Sequence, residues 1–273
     1  MLPADLTAAL GALDGDARIT ILTGAGISAE SGIPTFRGPE GYWTVGSDNY
    51  QPQEMGTQKM FQRMPREVWK WYLFRLGVCR QAAPNGGHEA CAQLDAALGE
   101  RFTLITQNVD GLHTRAGSSL ERTYSIHGNL EQVRCGVDCC AELWPMPPDV
   151  VPVGRGEEIT AAQWALLRCP RCGEGLRPHV LWFDESYDEL WFRWDSSLSA
   201  AARTDLLIVV GTSGATTLPT YVVRSAARAG SLLIDVNPNA NPFGELAERL
   251  PTGWALRGTS GELLPALAQI LLH

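Results

Sequence analysis

The sequence lacks several features that would assign it to a specialised class of protein. No apolar run approaches the roughly 18 residues of a membrane span, and no basic segment followed by an apolar one opens the chain. We therefore expect no membrane contact and no signal peptide. Basic residues are outnumbered, with 22 against 30 acidic ones, for a net charge of −8. Nucleic-acid binding draws much of its affinity from basic surface, so we expect no nucleic-acid partner.

Cysteine is scarce outside one stretch. The chain of 273 residues has seven cysteines, and five of them lie between Cys135 and Cys172. A disulfide scaffold is typically short, with its cysteines spread out. A composition of 45% hydrophobic and 19% charged residues is that of an ordinary globular protein, which can bury a large core without disulfides. We therefore expect a cytoplasmic protein with one metal site.

Short apolar runs alternate with helical patterns, which predicts a parallel sheet covered by helices on both faces. Residues 39–58 are rich in Gly, Pro and polar residues and predict a loop. The stretch 128–180 breaks the alternation and holds the cysteine cluster, so we interpret it as an insertion. Strands are expected at residues 18–23, 101–106, 124–127, 205–210 and 231–236, and helices at 5–14, 65–82, 88–98, 218–229 and 261–272.

A glycine-rich turn follows the first predicted strand. It reads Gly24-Ala25-Gly26-Ile27-Ser28 and precedes a predicted helix. Glycines at such a place let backbone N–H groups approach a pyrophosphate, and the helix N-terminus adds a favourable dipole. A tight turn without a ligand has the same pattern, so the turn alone does not decide between the two.

The longer sequence around this turn is more specific. Residues 24–38 read GAGISAESGIPTFRG, and together with the blocks that follow they resemble the sirtuins, the NAD-dependent protein-lysine deacylases. The resemblance covers roughly residues 18–265. The later blocks, in order, are Thr106-Gln-Asn-Val-Asp-Gly-Leu-His113, Ile126-His-Gly128, the cysteine cluster, Arg177-Pro-His-Val-Leu-Trp-Phe183, Gly211-Thr-Ser213 and Asp235-Val-Asn237.

The resemblance implies an α/β fold, a Rossmann-like parallel sheet with a small zinc-binding lobe and a helical insertion. The NAD-binding domain would comprise residues 1–38, 99–127 and 178–273, the loop and helical insertion 39–98, and the zinc lobe 128–177. It also implies that the acyl oxygen of an acyl-lysine attacks C1′ of the nicotinamide ribose of NAD, and that a base then activates a ribose hydroxyl. The products would be lysine, nicotinamide and O-acyl-ADP-ribose.

By resemblance, His127 is the general base, a role that suits an imidazole titrating near neutral pH. Asn108 would order the ribose, and Asp110 would hold the nicotinamide carboxamide. His113 is expected to be structural. The residues expected to contact NAD are Gly24, Ala25, Gly26, Ser28, Phe36, Arg37, Gln107, Asn108, Asp110, Gly211, Thr212, Ser213, Asn237 and Ser260.

The cysteine cluster resembles a zinc knuckle. Its second half, Cys169-Pro-Arg-Cys172, is a CxxC, whereas the first half departs from the family pattern as Cys135-Gly-Val-Asp-Cys139-Cys140. Four thiolates in tetrahedral arrangement form a structural Zn²⁺ site. We choose Cys135, Cys139, Cys169 and Cys172 as ligands and keep Cys140 as the alternative to Cys139. Reduced, unliganded thiols are the other interpretation.

The acyl group is the most open question. Tyr72 and Arg75 lie three residues apart on a predicted helix and resemble the pair that reads an acyl carboxylate in desuccinylase-type sirtuins. The alternative is an arginine facing solvent. Val180 and Phe183 are expected to line the path of the acylated lysine of a protein or peptide substrate. The chain departs from the family at Asp184, where a glycine is usual, and along 214–219.

These departures keep other functions open. A plain deacetylase would lack the preference for succinyl or malonyl groups. A mono-ADP-ribosyltransferase on the same scaffold would use NAD without an acyl-peptide. An NAD-sensing binding module would bind without turnover. The oligomeric state is left open.

Overall fold

The computed structural model describes residues 2–35 and 52–273. The strands are β1 (Ile19–Thr23), β2 (Phe102–Thr106), β3 (Thr123–Ser125), β4 (Gly128–Cys135), β5 (Leu143–Pro145), β6 (Leu176–Val180), β7 (Leu206–Val210), β8 (Leu232–Val236) and β9 (Gly253–Leu256). The helices are α1 (Ala4–Gly11), α2 (Pro52–Met55), α3 (Gln58–Arg63), α4 (Pro65–Gln81), α5 (Gly86–Leu98), α6 (Leu112–Arg115), α7 (Ala161–Leu166), α8 (Glu189–Phe192), α9 (Trp194–Ala202), α10 (Thr217–Ala229), α11 (Pro242–Arg249) and α12 (Ser260–Leu271).

The large sheet has six parallel strands in the order β3-β2-β1-β7-β8-β9. Strands β1 and β7 are buried at every position, which explains their unbroken apolar runs. The strand order reverses between these two neighbours, because one half of the chain winds outward from β1 and the other from β7. A reversal of this kind opens a crevice beyond the carboxyl ends of the strands, where ligands of such sheets bind.

Helices cover both faces of this sheet, as predicted. One face packs against α1, α5 and α12 through buried residues that include Leu6, Leu94 and Leu267. The other packs against α9, α10 and α11 through residues that include Ala201 and Val222. The predicted α/β fold is therefore confirmed. None of the helices in the described part of the chain is long and apolar enough to cross a membrane.

The second sheet lies in the stretch predicted as an insertion. Its antiparallel order is β5-β4-β6, and α4 packs against it through a separate core that includes Trp69, Val133 and Leu176. Strand β6 ends at Val180. Residues 178–180, which we assigned to the NAD-binding domain, therefore belong to the small sheet. Residues 52–55 form α2 within the range predicted as a loop. The elements not predicted from the sequence are β4, β5, β6, β9, α2, α3, α6, α7, α8, α9 and α11.

Candidate active site

A cleft of about 1220 Å³ opens at the carboxyl ends of β1, β2, β7 and β8. The segment that follows β6 closes its other side. Most of the predicted site residues line this cleft, namely Gly24, Ala25, Gly26, Tyr72, Arg75, Gln107, Asn108, His127, Val180, Phe183, Gly211, Thr212, Ser213, Asn237 and Ser260. Phe36 and Arg37 lie outside the described residues.

The glycine turn packs directly against the loop after β7. A Cβ on Gly26 would lie 2.6 Å from Cα of Gly211, and one on Gly24 would lie 2.8 Å from Cβ of Thr212. The N–H groups of Gly24 and Gly26 donate to the carbonyls of Val210 and Gly211. The glycines thus allow two loops to meet at the floor of the cleft. We had expected glycine here for another reason, the close approach of a pyrophosphate to the backbone. The turn continues as a helix, as predicted, which is a 3₁₀ helix over Ala25–Ser31.

The imidazole of His127 is held in one tautomer. Its Nδ1 lies 3.0 Å from the carbonyl oxygen of Gln107, which can only accept, so Nδ1 carries the proton. Nε2 is then the basic nitrogen. Burial lowers the pKa of His127 to about 4, partly offset by the hydrogen bond to Gln107. The ring is therefore neutral at ordinary pH, with its lone pair on Nε2.

A buried hydrogen-bond network lies behind the wall of the cleft and is connected to it through one residue, Asn108. The Ser28 hydroxyl donates to Oδ2 of Asp110 (2.7 Å) and accepts from Nδ2 of Asn108 (3.0 Å). Burial raises the pKa of Asp110, although the backbone N–H of Leu112 and the Ser28 hydroxyl oppose this shift. Asn108 alone of this trio faces the cleft, so it connects the buried network to the ligand space.

His88 extends this network, although no functional role was predicted for it. Its Nε2 lies 3.3 Å from the Ser28 hydroxyl, and because that hydroxyl already donates to Asp110, Nε2 must donate to Ser28. Its Nδ1 accepts from the backbone N–H of Asn85 and completes a capping box at the start of α5. The Pro-Asn-Gly-Gly-His segment could have indicated the cap but not the contact with Ser28, which spans sixty residues.

Gln107 ties the ends of β2 and β7 together. Its Nε2 donates to the Thr212 hydroxyl, and its Oε1 accepts from the Thr216 hydroxyl, both at 2.9 Å. Asn237 donates to the backbone carbonyl of Thr212 at 3.1 Å. Ser260 donates to Glu30 at 3.0 Å, and this carboxylate also accepts from the N–H of Gly261 at the start of α12. The polar groups of four segments are thus fixed before a ligand binds.

Tyr72 and Arg75 lie at the other end of the cleft. They are 3% and 5% exposed, so the alternative of a solvent-facing arginine is wrong. The Tyr72 hydroxyl accepts from Nε1 of Trp182 at 2.9 Å, and burial raises the pKa of this phenol to about 12. The Arg75 guanidinium lies 4.6 Å from the ring centre of Trp71. A permanent positive charge therefore lies beside the rings of Trp71 and Tyr72 at this end of the cleft.

The departure at Asp184 has a structural cause. Its carboxylate accepts hydrogen bonds from the backbone N–H groups of Gln58 (2.8 Å) and Lys59 (3.2 Å), which begin α3. A carboxylate at this position satisfies unpaired N–H groups of the helix. The preceding Phe183 is 57% exposed and faces the cleft. Asp184 thus binds the helical insertion, while its neighbour remains accessible.

Glu185 was also missed, and it anchors the segment after β6. Its carboxylate contacts the guanidinium of Arg177 at 2.5 and 2.9 Å and that of Arg134 at 3.2 Å. It also accepts from the N–H of Trp182 at 2.9 Å. Both arginines are almost fully buried, so the carboxylate is required to compensate their charge. These contacts tie the segment to the small sheet, because Arg134 lies on β4 and Arg177 on β6.

Four cysteines form a cluster with the dimensions of a zinc site. The Sγ atoms of Cys135, Cys139, Cys169 and Cys172 all lie within 4.8 Å of one another. The Cys135–Cys172 pair is separated by 3.7 Å and the Cys139–Cys169 pair by 3.6 Å. Tetrahedral coordination with Zn–S bonds of about 2.3 Å places sulfurs roughly 3.8 Å apart, so the thiolates fit Zn²⁺. The Sγ of Cys140 lies 3.7 Å from that of Cys139, outside the group of four.

Loss of this metal is expected to unfold the small lobe. Cys169→Ala and Cys139→Ser should lower the zinc content, the melting temperature and the activity together, because structural zinc contributes directly to folding. Cys140→Ser is the matched control and should keep all three. Metal analysis, thermal denaturation and deacylation assays on the variants make the comparison. Full activity of a zinc-depleted protein, or loss of zinc in Cys140→Ser, would contradict the ligand assignment.

Comparison with known proteins places this geometry in a family. Residues 24–217 match the Sir2 family. An NAD-dependent protein deacylase of Leptospira interrogans is 38% identical over 263 residues and covers 93% of each chain. A protein with the same description from Thermus thermophilus is 38% identical over 253 residues, with 91% of this chain and 90% of the relative covered.

Solved structures agree. A mutant Sir2 homologue in complex with ADP-ribose superposes with a TM-score of 0.79 at 33% identity, over 99% of this chain and 96% of the other. A Sir2 homologue in complex with NAD gives a TM-score of 0.78 at 32% identity, over 99% and 94%. A complex of Sir2 with a p53 peptide and NAD⁺ gives 0.74 at 27% identity, over 98% of each chain. The expected family is therefore confirmed, and the chain belongs to the Sir2 family.

Proposed function

We propose that this chain, an NAD-dependent protein deacylase, prefers acyl groups that end in a carboxylate, such as succinyl or malonyl. The observation that carries the preference is the Arg75 guanidinium, which is buried beside the Tyr72 hydroxyl in the same cleft as His127. An arginine in such a place binds a carboxylate through charge-assisted hydrogen bonds. Acylated lysines of proteins or peptides are the proposed substrates, in keeping with the p53 peptide held by solved Sir2 proteins.

In this proposal one end of the cleft binds NAD and the other end binds the acyl-lysine. NAD, when bound, supplies the electrophilic ribose carbon that accepts the acyl oxygen. The carboxyl ends of β1, β2, β7 and β8 offer backbone and amide groups for its phosphates and ribose hydroxyls. Tyr72 and Arg75 would face the acyl chain, and Val180 and Phe183, which line the same cleft, would lie beside the lysine stem. The weak nucleophile of this chemistry is an amide oxygen, so positioning and exclusion of water matter more than a strong protein nucleophile.

His127 is proposed to accept the proton of a ribose hydroxyl at Nε2. The carbonyl of Gln107 keeps the other proton on Nδ1 and stabilises the imidazolium that forms. Asn108 would present its amide to the ribose, while its contact with Ser28 fixes its orientation. Asp110 is predicted to hold the carboxamide, which would require its carboxylate to leave Ser28 and the N–H of Leu112, because Asp110 does not line the cleft in this structure.

An ADP-ribosyltransferase was kept open by two departures from the family pattern, at Asp184 and along 214–219, and the first of these no longer favours it. Asp184 had suggested a disturbed peptide path, but its carboxylate is engaged with the start of α3 and Phe183 stays exposed. The residues predicted for the substrate, Tyr72, Arg75, Val180 and Phe183, also all line the cleft. An NAD-sensing module would have no use for a buried neutral imidazole aligned by Gln107. Deacylation therefore fits the cleft best.

A panel of acyl peptides tests the proposal. Matched peptides carrying acetyl, butyryl, succinyl and malonyl lysine should show the highest kcat/KM for the two acidic groups, because only these return a hydrogen bond to Arg75. Mass spectrometry should detect the corresponding O-acyl-ADP-ribose, and nicotinamide release should require the peptide. Equal kcat/KM for acetyl and succinyl peptides would reduce the function to a plain deacetylase. Transfer of labelled ADP-ribose to protein without deacylation would favour the ADP-ribosyltransferase.

A further inference from the structure

One residue at the centre of the cleft has no role so far. The phenol oxygen of Tyr187 lies 2.7 Å from Nε2 of His127. Tyr187 follows β6 in the segment anchored by Glu185, and its ring lies 5.8 Å from the His127 ring. A row of rings continues from Tyr187 to Trp194 and then to Tyr221, with 5.7 Å between the centres in both steps.

The direction of this hydrogen bond follows from its neighbours. The carbonyl of Gln107 requires the imidazole proton on Nδ1, so Nε2 has only a lone pair to offer. The phenol must therefore donate. Burial raises the pKa of Tyr187 far above its usual value, and the hydroxyl keeps its proton at any ordinary pH. Tyr187 is thus a permanent donor to the nitrogen on which the proposed chemistry depends.

The phenol of Tyr187 and a ribose hydroxyl would compete for the same lone pair on Nε2 of His127. Nε2 has one lone pair in the plane of the ring, and a ribose hydroxyl needs it in order to lose its proton. While the phenol occupies it at 2.7 Å, His127 is not available as a base. The contact must break before the proton can be transferred.

The position of Tyr187 connects this contact to the substrate. The hydroxyl of Thr216, in the segment after β7, lies near the phenol and donates to Gln107. Tyr187 and Thr216 line the cleft from two different segments, together with Phe183. Residues 183–187 and 214–219 include the positions at which the sequence departs from the family pattern beside the acyl-peptide path. The phenol therefore bridges the two segments between which the lysine would enter.

We propose that Tyr187 gates the base: it occupies Nε2 of His127 in the free enzyme, and the entry of the acyl-peptide displaces it so that the ribose hydroxyl takes its place. The inference rests on the proposed role of His127. It gives the chain a means of keeping the base idle when NAD is present without an acylated substrate. Part of the binding energy of the peptide is used to break the contact, which weakens apparent binding without slowing the chemistry.

The variant Tyr187→Phe removes the hydroxyl and keeps the ring. At saturating NAD, its KM for the acyl-peptide should fall about two- to twelvefold, the equivalent of one net hydrogen bond, with kcat within about threefold of the wild type. Tyr221→Phe is the matched control, because it removes a phenol two rings further along the same row. It should leave both constants unchanged.

Two results would overturn the gate. A fall in kcat of a hundredfold or more at constant KM would make the phenol a participant in proton transfer. Unchanged KM and kcat would show that the contact does not compete with substrate. In either case the control and wild type still deacylate the peptide, so the proposed function survives the failure of this inference.

A spectroscopic measurement does not depend on the variant's stability. The ¹⁵N shift of His127 Nε2 in the wild type should report an accepted hydrogen bond in the free enzyme. It should move to the value of a nitrogen without a donor when an acyl-peptide is added with an NAD analogue that lacks the hydroxyls of the nicotinamide ribose, because the phenol then leaves and no hydroxyl takes its place. An unchanged signal on formation of this complex would contradict displacement. Absence of any deacylation by the wild type, with this shift change present, would instead count against the proposed function alone.

Discussion

Replacing His127 with asparagine is expected to lower kcat/KM for deacylation by about a hundred- to ten-thousandfold, the usual contribution of a positioned general base. The amide of the introduced side chain can still donate to the carbonyl of Gln107 in the place of Nδ1, but it offers nothing at the position of Nε2. The loss should therefore reflect missing chemistry and not a collapsed cleft. Steady-state kinetics with an acyl-peptide and NAD measure it.

The step that fails can be identified. Attack of the acyl oxygen precedes the need for the base, so exchange of labelled nicotinamide into NAD should persist in His127→Asn while deacylation is lost. The wild-type pH profile adds a second check. Because burial holds the pKa of His127 near 4 in the free enzyme, the neutral base persists as pH falls through 6.5. kcat/KM should decline only as pH approaches about 4. Retention of deacylation by the variant would remove His127 from the base role.

The second large effect concerns the acyl group. Arg75→Met should lower kcat/KM for a succinyl peptide by about ten- to a hundredfold, since a charge-assisted hydrogen bond contributes roughly 1.5–3 kcal/mol. Deacetylation should stay within a few-fold, because the NAD end of the cleft and His127 are untouched. Methionine keeps most of the apolar volume next to Trp71 and Tyr72. Both activities should be measured on both proteins.

Arg80→Met provides the control for this comparison. It removes a guanidinium from the same helix, α4, where Arg80 pairs with Glu131 at 2.7 Å and is 38% exposed. A surface pair of this kind contributes little, so the succinyl-to-acetyl ratio should not change. If Arg75→Met also leaves this ratio unchanged, Tyr72 and Arg75 do not read the acyl carboxylate and the plain deacetylase remains.

Much of the large sheet could be predicted from the sequence because its strands are buried on both faces. A run such as Leu206–Val210 is then apolar throughout and bounded by polar turns. The glycine turn and the Gln107–Asp110 segment end such strands, so their place at one edge of the sheet followed directly. The cysteine pairs were visible as well, since metal ligands come in short spacings.

The small sheet could not be predicted because its strands lack an unbroken apolar run. Strands β4 and β6 carry Arg134 and Arg177, buried charges that Glu185 meets from outside the strands, with Asp138 as a second partner of Arg134. A strand pattern that depends on a distant partner gives no local signal. The same holds for His88 and Tyr187, whose contacts with Ser28 and His127 each span sixty residues. Such contacts exist only once the chain has folded.

Strand β4 begins at the residue after His127 and ends at Cys135, so one strand of eight residues joins the proposed base to a cysteine of the cluster. The carbonyl of His127 also pairs with the N–H of Leu181, next to β6. In terms of cooperative opening, His127 therefore lies between two units, because the N–H of Ile126 donates to the carbonyl of Thr106 on the large sheet, whereas β4 belongs to the unit of the metal lobe. Transient opening of that unit would separate imidazole from carbonyl and disable the enzyme, while the crevice for the nucleotide remained folded.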